Sequence, residues 1–157
     1  NAETDVQIHA GDVDDLINVG YYSDDMNTSM IGGDATVKRA LGVNVDYVGD
    51  DARVNLLTDY MEPGDSAALE MTVSQVVDMR DRALIDEVSG ESMIVSMTDE
   101  AYVRSLTGQA SVVEISDSAL IDVVESNVGV EYMTGCAKVD FVHNGGRVSV
   151  VKDDARA

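Results

Sequence analysis

The sequence predicts an α+β protein, predominantly antiparallel β, that forms a sandwich or a barrel-like structure with a few short helices. Three observations lead to this prediction. Many short segments are rich in β-branched side chains and end at charged or glycine-containing turns. Two such segments flank Asn144-Gly145, a dipeptide typical of tight hairpins. Elsewhere the apolar residues change from alternation to a helical spacing, which indicates short helices.

The size of the chain fits one domain. It has 157 residues, of which 45% are hydrophobic, and this suffices for a substantial core. We expect a single domain over residues 1–157, with an irregular strand-rich half at 1–74. Two tandem repeat units follow at 75–146, and residues 147–157 form a terminal strand and tail.

The N-terminal half contains strands and one predicted helix. The segments VQIH, VNVDYV and ARVNLL have the composition of strands. The segment DATVKRALG reads as a short helix that begins at an Asp34 cap and stops at Gly42. After a turn at Pro63-Gly64-Asp65, the segment ALEMTVSQV alternates apolar and polar residues, which predicts a half-buried strand with Leu69, Met71 and Val73 inward.

An internal repeat of about 36 residues is the strongest feature of the sequence. Gln75–Ala110 aligns with Ser111–Gly146 without a gap at an offset of 36, and 12 positions are identical. Each unit is predicted to start with a strand, Gln75–Met79 or Ser111–Ile115. The shared motif ALIDxV is predicted to be a helical turn, because its apolar residues share one helical face. We therefore expect a common buried set: Leu84, Val88, Leu120 and Val124.

The second half of each repeat unit is predicted to return to strands. Met93–Met97 and Val128–Met133 are apolar and β-branched, and they lead into AYVRSL and AKVDFV. Since Asn144 and Gly145 both tolerate positive φ, we expect AKVDFV to pair antiparallel with RVSVV across this turn.

A segment without a clear period, YYSDDMNTSMIGG at residues 21–33, is predicted to be an arm. Two explanations remain open: a surface loop packed on its own domain, or an arm that reaches a neighbouring subunit. In the second case five apolar side chains are the candidate subunit contacts: Tyr21, Tyr22, Met26, Met30 and Ile31.

The charge of the chain restricts its partners and its environment. The formal net charge is −20, from 30 acidic and 10 basic residues. Such a surface repels phosphate backbones and anionic lipids, so we expect no direct nucleic-acid binding, and no apolar run is long enough to predict membrane insertion. The excess of Asp over Glu and of Arg over Lys favours a protein from concentrated salt. An ordinary acidic protein is the alternative.

Candidate catalytic or metal-binding residues are few. The single cysteine, Cys136, excludes an intramolecular disulfide and a multi-cysteine zinc site, and the chain lacks the common hydrolase and nucleotide-binding motifs. Cys136, Asp140 and His143 are close in sequence, but strand parity places His143 on the opposite face. We expect no enzyme, no cofactor and no resident metal, with calcium on the abundant Asp side chains as the open alternative.

These observations together favour a structural protein. The leading hypothesis is a non-catalytic, self-assembling subunit of a virion, of the capsid, decoration or tail-tube type, from a high-salt environment. The alternatives are an extracellular surface-layer or filament subunit, and a calcium- or ligand-binding β module. The expected partners are copies of itself and other assembly subunits, on a virion or an extracellular surface. The absence of an initiator Met predicts removal of an upstream segment, and Asn27-Thr28-Ser29 is a glycosylation sequon if the chain is exported.

Overall fold

The chain folds into a parallel β-solenoid, in which each coil of the backbone stacks on the preceding coil. The computed structural model describes residues 6–8, 10–17, 27–61, 71–125 and 127–157. No helix occurs among these residues, and the strands of both large sheets run parallel. The predicted antiparallel sandwich or barrel with short helices is therefore wrong.

Seventeen strands make up the described chain. Most contain five residues and are separated by short corners. The strands are β1 (Val6–Ile8), β2 (Asp12–Ile17), β3 (Asn27–Ile31), β4 (Thr36–Leu41), β5 (Asn44–Val48), β6 (Arg53–Thr58), β7 (Tyr60–Met61), β8 (Met71–Thr72), β9 (Gln75–Met79), β10 (Leu84–Val88), β11 (Met93–Met97), β12 (Tyr102–Leu106), β13 (Ser111–Ile115), β14 (Leu120–Val124), β15 (Gly129–Met133), β16 (Lys138–Val142) and β17 (Arg147–Val151).

Two parallel sheets form the walls of the solenoid. We call them sheet A, with the order β1-β3-β5-β9-β11-β13-β15-β17, and sheet B, with the order β16-β14-β12-β10-β6-β4-β2. The chain passes from one sheet to the other at every corner. Strands of sheet A begin at Gln75, Met93, Ser111, Gly129 and Arg147, so one coil takes 18 residues and the predicted offset of 36 residues corresponds to two coils.

In each half-coil of nine residues, the side chains of three positions point into the core. In the half-coil of β10 these are Ala83, Ile85 and Val88, all fully buried, and Ala101, Val103 and Leu106 repeat the pattern in β12. The small residue lies at the corner, where the two sheets meet closely. Because the walls are buried against each other throughout the rod, the core is a continuous column of aliphatic side chains.

This spacing explains why three segments were wrongly predicted to be helical. Inward residues follow one another at intervals of two, three and four residues, and the longer intervals resemble the period of a helix. The motif ALIDxV is in fact the corner and strand of β10 and β14. Ile85 and Val88 point inward, whereas Leu84 and Leu120 are half-buried outside the core. Similarly, DATVKRALG contains β4 and not a helix.

The hairpin prediction at Asn144-Gly145 is also wrong. Both residues have positive φ, 48° and 91°, as expected for this dipeptide. They form a corner between the sheets, so β16 pairs with β14 and β17 pairs with β15, in both cases parallel. A turn that tolerates positive φ can lead the chain either around a solenoid corner or into a hairpin.

One insertion interrupts the coils between β6 and β9. It contains the short antiparallel pair of β7 and β8, after which the chain returns so that β9 stacks directly on β5. Residues 62–70, which include the predicted turn at Pro63, lie outside the described residues. The predicted half-buried strand is interrupted between β8 and β9, where Val73, expected inward, is exposed and Ser74 is buried. The Ser74 hydroxyl donates to the carbonyl of Thr58 and accepts from the amide of Val43, which ties the insertion to two coils.

Candidate functional site: an aspartate corner and two open coil ends

The corners that lead from sheet A to sheet B carry a column of aspartates. We call this column the aspartate corner: Asp50, Asp81, Asp99, Asp117 and Asp153. All five have a positive φ between 54° and 59°, a conformation that Asp and Asn adopt more readily than other non-glycine residues. The corner therefore explains part of the excess of Asp over Glu, since the longer Glu side chain is not favoured there.

The carboxylates of this corner bond to the preceding coil. The Asp50 carboxylate accepts from the amide of Gly33 at 2.9 Å, and the Asp81 carboxylate accepts from the amide of Asp50 at 3.1 Å. The amides of Asp81 and Gly135 donate in the same way to Asp99 at 3.4 Å and Asp153 at 3.5 Å. Four of the five side chains thus satisfy a backbone donor of the preceding coil, and the corner is a structural feature of the solenoid.

Asp81 has an additional partner. The Tyr47 hydroxyl donates to its Oδ2 at 2.6 Å, and the Arg80 guanidinium lies 4.6 Å from the centre of the Tyr47 ring. The hydrogen bond from Tyr47, and then that from the Asp50 amide, lower the pKa of Asp81. The same bond to Asp81, followed by partial burial, raises the pKa of Tyr47. This cluster stabilises the ionised carboxylate and the neutral phenol.

The opposite corners, from sheet B to sheet A, bring backbones into close contact. A Cβ added to Gly108, where φ is +71°, would lie 2.9 Å from the amide nitrogen of Gly90 in the neighbouring coil. Such an approach excludes any side chain without a shift of the backbone. Both glycines, together with Asp59 and Asn127, line a shallow groove along this edge.

The outer face of sheet B carries charge pairs between coils. The Arg53 guanidinium donates to Asp86 at 2.7 Å, and Arg104 lies 3.5 Å from the other carboxylate oxygen of Asp86. Tyr102 donates to Asp122 one coil further along. Burial and this bond raise the pKa of Tyr102. These contacts hold stacked coils in register on a face that is otherwise solvated.

The C-terminal end of the solenoid leaves an incomplete core layer. Val142 and Val151 occupy columns in which Val124 and Met133 of the preceding coil are fully buried. At the last level they are 41% and 44% exposed, and Phe141 and Val150 beside them are 58% and 37% exposed. The strand β17 is also the edge of sheet A. This end therefore combines an open strand edge with apolar side chains.

Among the described residues, the N-terminal end also has core positions that are only partly covered. β1 and β2 are the other edges of sheets A and B, and Ile8 and Val13 pack on the core while remaining partly exposed. The two ends differ in charge. Residues 1–17 contain five acidic and no basic side chains, whereas residues 138–157 contain four basic and three acidic ones. The acidic rod thus has a weakly positive segment at the C-terminal end.

The predicted subunit contacts fall in different places. Tyr21, Tyr22 and Met26 lie outside the described residues. Met30 is half-buried in β3, and Ile31, at the end of the same strand, is fully buried in the core. Ile31 is therefore not available to a neighbouring subunit. The exposed valines of the last coil were missed, because their spacing in sequence equals that of the buried positions.

The chemically reactive residues are not assembled into a site. Cys136 is exposed at the corner before β16, and His143 stacks on Phe141 at the corner after it. A strand of five residues, about 16 Å, separates them. Among the described residues, no group of three or more His, Cys, Asp or Glu side chains is arranged to hold a metal ion. In the same part of the chain, no helix has the length and apolar character needed to span a membrane.

No protein-family model, curated protein or solved structure matches the chain.

Proposed function

We propose that the protein is a structural, non-catalytic subunit that assembles with copies of itself in concentrated salt, on a virion or an extracellular surface. The observation that carries this proposal is the incomplete core layer at the C-terminal end. Val142 and Val151 lie in columns that the central coils bury, yet they are exposed beside β17, the outermost described strand of sheet A, and exposed apolar side chains on an outer strand favour pairing with another chain.

The rod shape favours one form of assembly. A solenoid has identical spacing along its axis, so association along the axis extends it in one dimension. This supports the surface or filament subunit, or a fibre of a virion, over the capsid and decoration types. The acidic sides repel one another in dilute buffer, which favours contact through the ends rather than the sides.

The aspartate corner supplies no comparable support for a calcium-binding module. At least four of its carboxylates accept a hydrogen bond from the backbone of the preceding coil. Their conformation and spacing follow from the corner itself. Calcium binding to this column therefore does not enter the proposal.

Light scattering at increasing protein concentration, in about 3 M KCl to screen surface charge, tests the proposal. We expect oligomers that grow with concentration. The variant Val151→Asn should raise the concentration needed for assembly roughly fivefold, since completing the burial of this valine contributes about 1 kcal/mol.

Val77→Asn is the matched control. Val77 is 38% exposed on the outer face of a central coil, close to the 44% of Val151, but it lies away from both ends. We expect this variant to assemble as the unmodified chain does. A chain that stays monomeric at every concentration would refute the proposal, as would equal effects of the two substitutions.

A further inference from the structure

We propose that the outer face of sheet A, from β5 to β15, is a docking surface for a basic amphipathic helix of another protein. This surface lies on a side of the solenoid and does not depend on contacts between copies of the chain. It goes beyond the proposed function, because it adds a second kind of partner.

Three valines form an apolar column in the middle of this face. The registers of β9, β11 and β13 place Val77, Val95 and Val113 at the same outward position in three consecutive coils, and we call this column the valine stripe. Val77 is 38% exposed, and the other two are half-buried. In sheet B the corresponding position is polar in each of the same coils and in the coils beside them: Asn55, Asp86, Arg104, Asp122 and Asp140. Strand geometry therefore does not require apolar side chains at this position, and the stripe is an apolar surface in contact with water.

Acidic side chains surround the valine stripe. Asp46 and Glu131 continue the column at its two ends. Asp78 and Glu114 lie in the neighbouring outward column. The strands β5, β9, β11, β13 and β15 contain no Lys or Arg, and Arg80, from a corner, lies 3.4 Å from Asp78. A complementary partner must therefore present an apolar centre flanked by positive charge.

A shallow hollow at one end of the stripe is suited to a cationic side chain. Val113 and Glu114 line one side of it, and Glu131 and Tyr132 line the next coil. The aliphatic stem of a Lys or Arg can pack on Val113 while its charged head lies between the two carboxylates. Arg147 of β17 forms part of the far rim, so the acidic area ends there.

The dimensions of the face limit the size of its occupant. Five strands spaced at about 4.8 Å, with five residues of about 3.3 Å each, give an area of about 24 Å by 16 Å. This is roughly half of the approximately 800 Å² that each partner contributes to a standard protein interface. A single secondary-structure element therefore fits the face better than a globular domain does.

The spacing of the stripe favours a helix that lies along the solenoid axis. The coils follow one another at about 4.8 Å, close to the pitch of about 5.4 Å of an α-helix, whereas side chains on one face of a strand recur at almost 7 Å. Apolar residues at i, i+4 and i+7 of a helix would follow the three valines, with Lys or Arg on both sides. A second copy of the chain does not fit this description, since its net charge is −20 and its described residues contain no helix.

Fluorescence anisotropy with two labelled peptides tests the docking surface. The first is a peptide of about 18 residues with Leu at the i, i+4, i+7 spacing and Lys on both flanks, and the second has the same composition in an order without an apolar face. Binding is measured in about 0.5 M and about 3 M KCl, at protein concentrations at which light scattering shows monomers. We expect the patterned peptide to bind roughly tenfold more tightly. Equal binding of the two peptides would show a general attraction to an acidic protein and would overturn the inference.

Substitutions on the two sheets locate the contact. Val95→Asn should weaken binding of the patterned peptide roughly fivefold, because burial of this valine is lost. The matched control is Val123→Asn, which changes a half-buried valine on the outer face of sheet B and should leave binding unchanged. Equal effects of the two substitutions would place the peptide elsewhere.

A pair of charge substitutions gives a measurement that does not depend on packing. Glu114→Gln with Glu131→Gln changes two exposed side chains and should weaken binding roughly fivefold in about 0.5 M KCl and little in about 3 M KCl. Glu87→Gln with Glu125→Gln removes the same charge from exposed positions away from sheet A and is the control. Equal weakening by the two pairs would contradict the docking surface.

The outcome is separable from that of the proposed function. A chain that never assembles refutes the proposed function, while peptide binding to the monomer still decides this inference. Conversely, if Val77→Asn weakens self-assembly, the valine stripe contacts another copy, and its assignment to a basic helix is overturned.

Discussion

Substitution of adjacent residues in β10 distinguishes the solenoid core from a helical arrangement of the same motif. Ile85 is fully buried between the two sheets, whereas its neighbour Leu84 is half-buried on the outer face. In the helix that the motif ALIDxV resembles, both side chains would share the buried face. Truncation of each to Ala therefore gives different results for the two folds.

The expected magnitudes follow from burial. Ile85→Ala removes three methyl or methylene carbons from a closed core and should cost about 2–5 kcal/mol. Leu84→Ala loses partial burial and leaves no enclosed cavity, so we expect a cost of about 1 kcal/mol. The same pair recurs two coils further along at Ile121 and Leu120, where Ile121 is also fully buried.

Urea unfolding followed by circular dichroism, in about 3 M KCl, measures the four free-energy changes. For a chain of this size the Ile variants should melt roughly 4–20 °C lower. Equal losses for Leu84→Ala and Ile85→Ala would refute the inward positions described above. A large loss at Ile85 with no loss at Ile121 would contradict their equivalence in the solenoid.

Three further predictions concern the corners. Asp99 lies one coil from Asp81 and one coil from Asp117, and neighbouring coils stack about 4.8 Å apart. Asp99→Asn should therefore raise the melting temperature in about 0.1 M KCl and leave it nearly unchanged in about 3 M KCl, while the unmodified chain itself melts higher in the concentrated salt. A melting temperature that does not change with salt would contradict this. Gly108→Ala should lower the free energy of unfolding by at least about 1–2 kcal/mol, because φ is +71° at this position and the added Cβ meets the Gly90 backbone. The control is Gly129→Ala, whose Cβ would have no atom within 4 Å. In the same urea titration this variant should be neutral or stabilising. The pKa of Asp81 is lower in the folded state than in the unfolded state, so the ionised carboxylate stabilises the fold above about pH 3.9. This contribution disappears as the pH falls through the folded-state pKa, and the difference in unfolding free energy between the unmodified chain and Asp81→Asn should shrink over the same pH range. Unfolding free energies of the two chains that stay parallel with pH would contradict the lowered pKa of Asp81.

The sequence was sufficient to predict most strands of the described chain. Gln75–Met79, Met93–Met97 and Ser111–Ile115 have the predicted bounds, because β-branched composition and flanking turns are local signals. The offset of 36 residues was also real, although the coil is half as long. Successive coils differ at outward positions, so alternate coils are more alike than neighbours, and this hid the shorter period.

The pairing of the strands could not be predicted from the same local signals. Whether β16 turns back on β17 or continues around a corner depends on contacts with coils distant in sequence, and Asn144-Gly145 is compatible with both. The inward intervals of two, three and four residues then led to a helical interpretation of Leu84, Ile85 and Val88.

The candidate site was hidden for a related reason. Val142 and Val151 have the sequence context of buried core residues, and their exposure follows from their position in the last coil. A sequence pattern indicates which side of a strand is apolar, but it does not indicate which coil lacks a neighbour.

The axial repeat of assembled particles tests the central claim most directly. Electron cryomicroscopy of the protein at high concentration in about 3 M KCl would measure the rise per subunit. Sheet A has eight strands, and a continuous sheet with a strand spacing of about 4.8 Å gives a rise of about 38 Å. We predict filaments with this rise and an unbroken strand spacing across each joint. Filaments with a different rise, an interrupted strand spacing at the joints, or particles that remain single would contradict axial assembly of the solenoid.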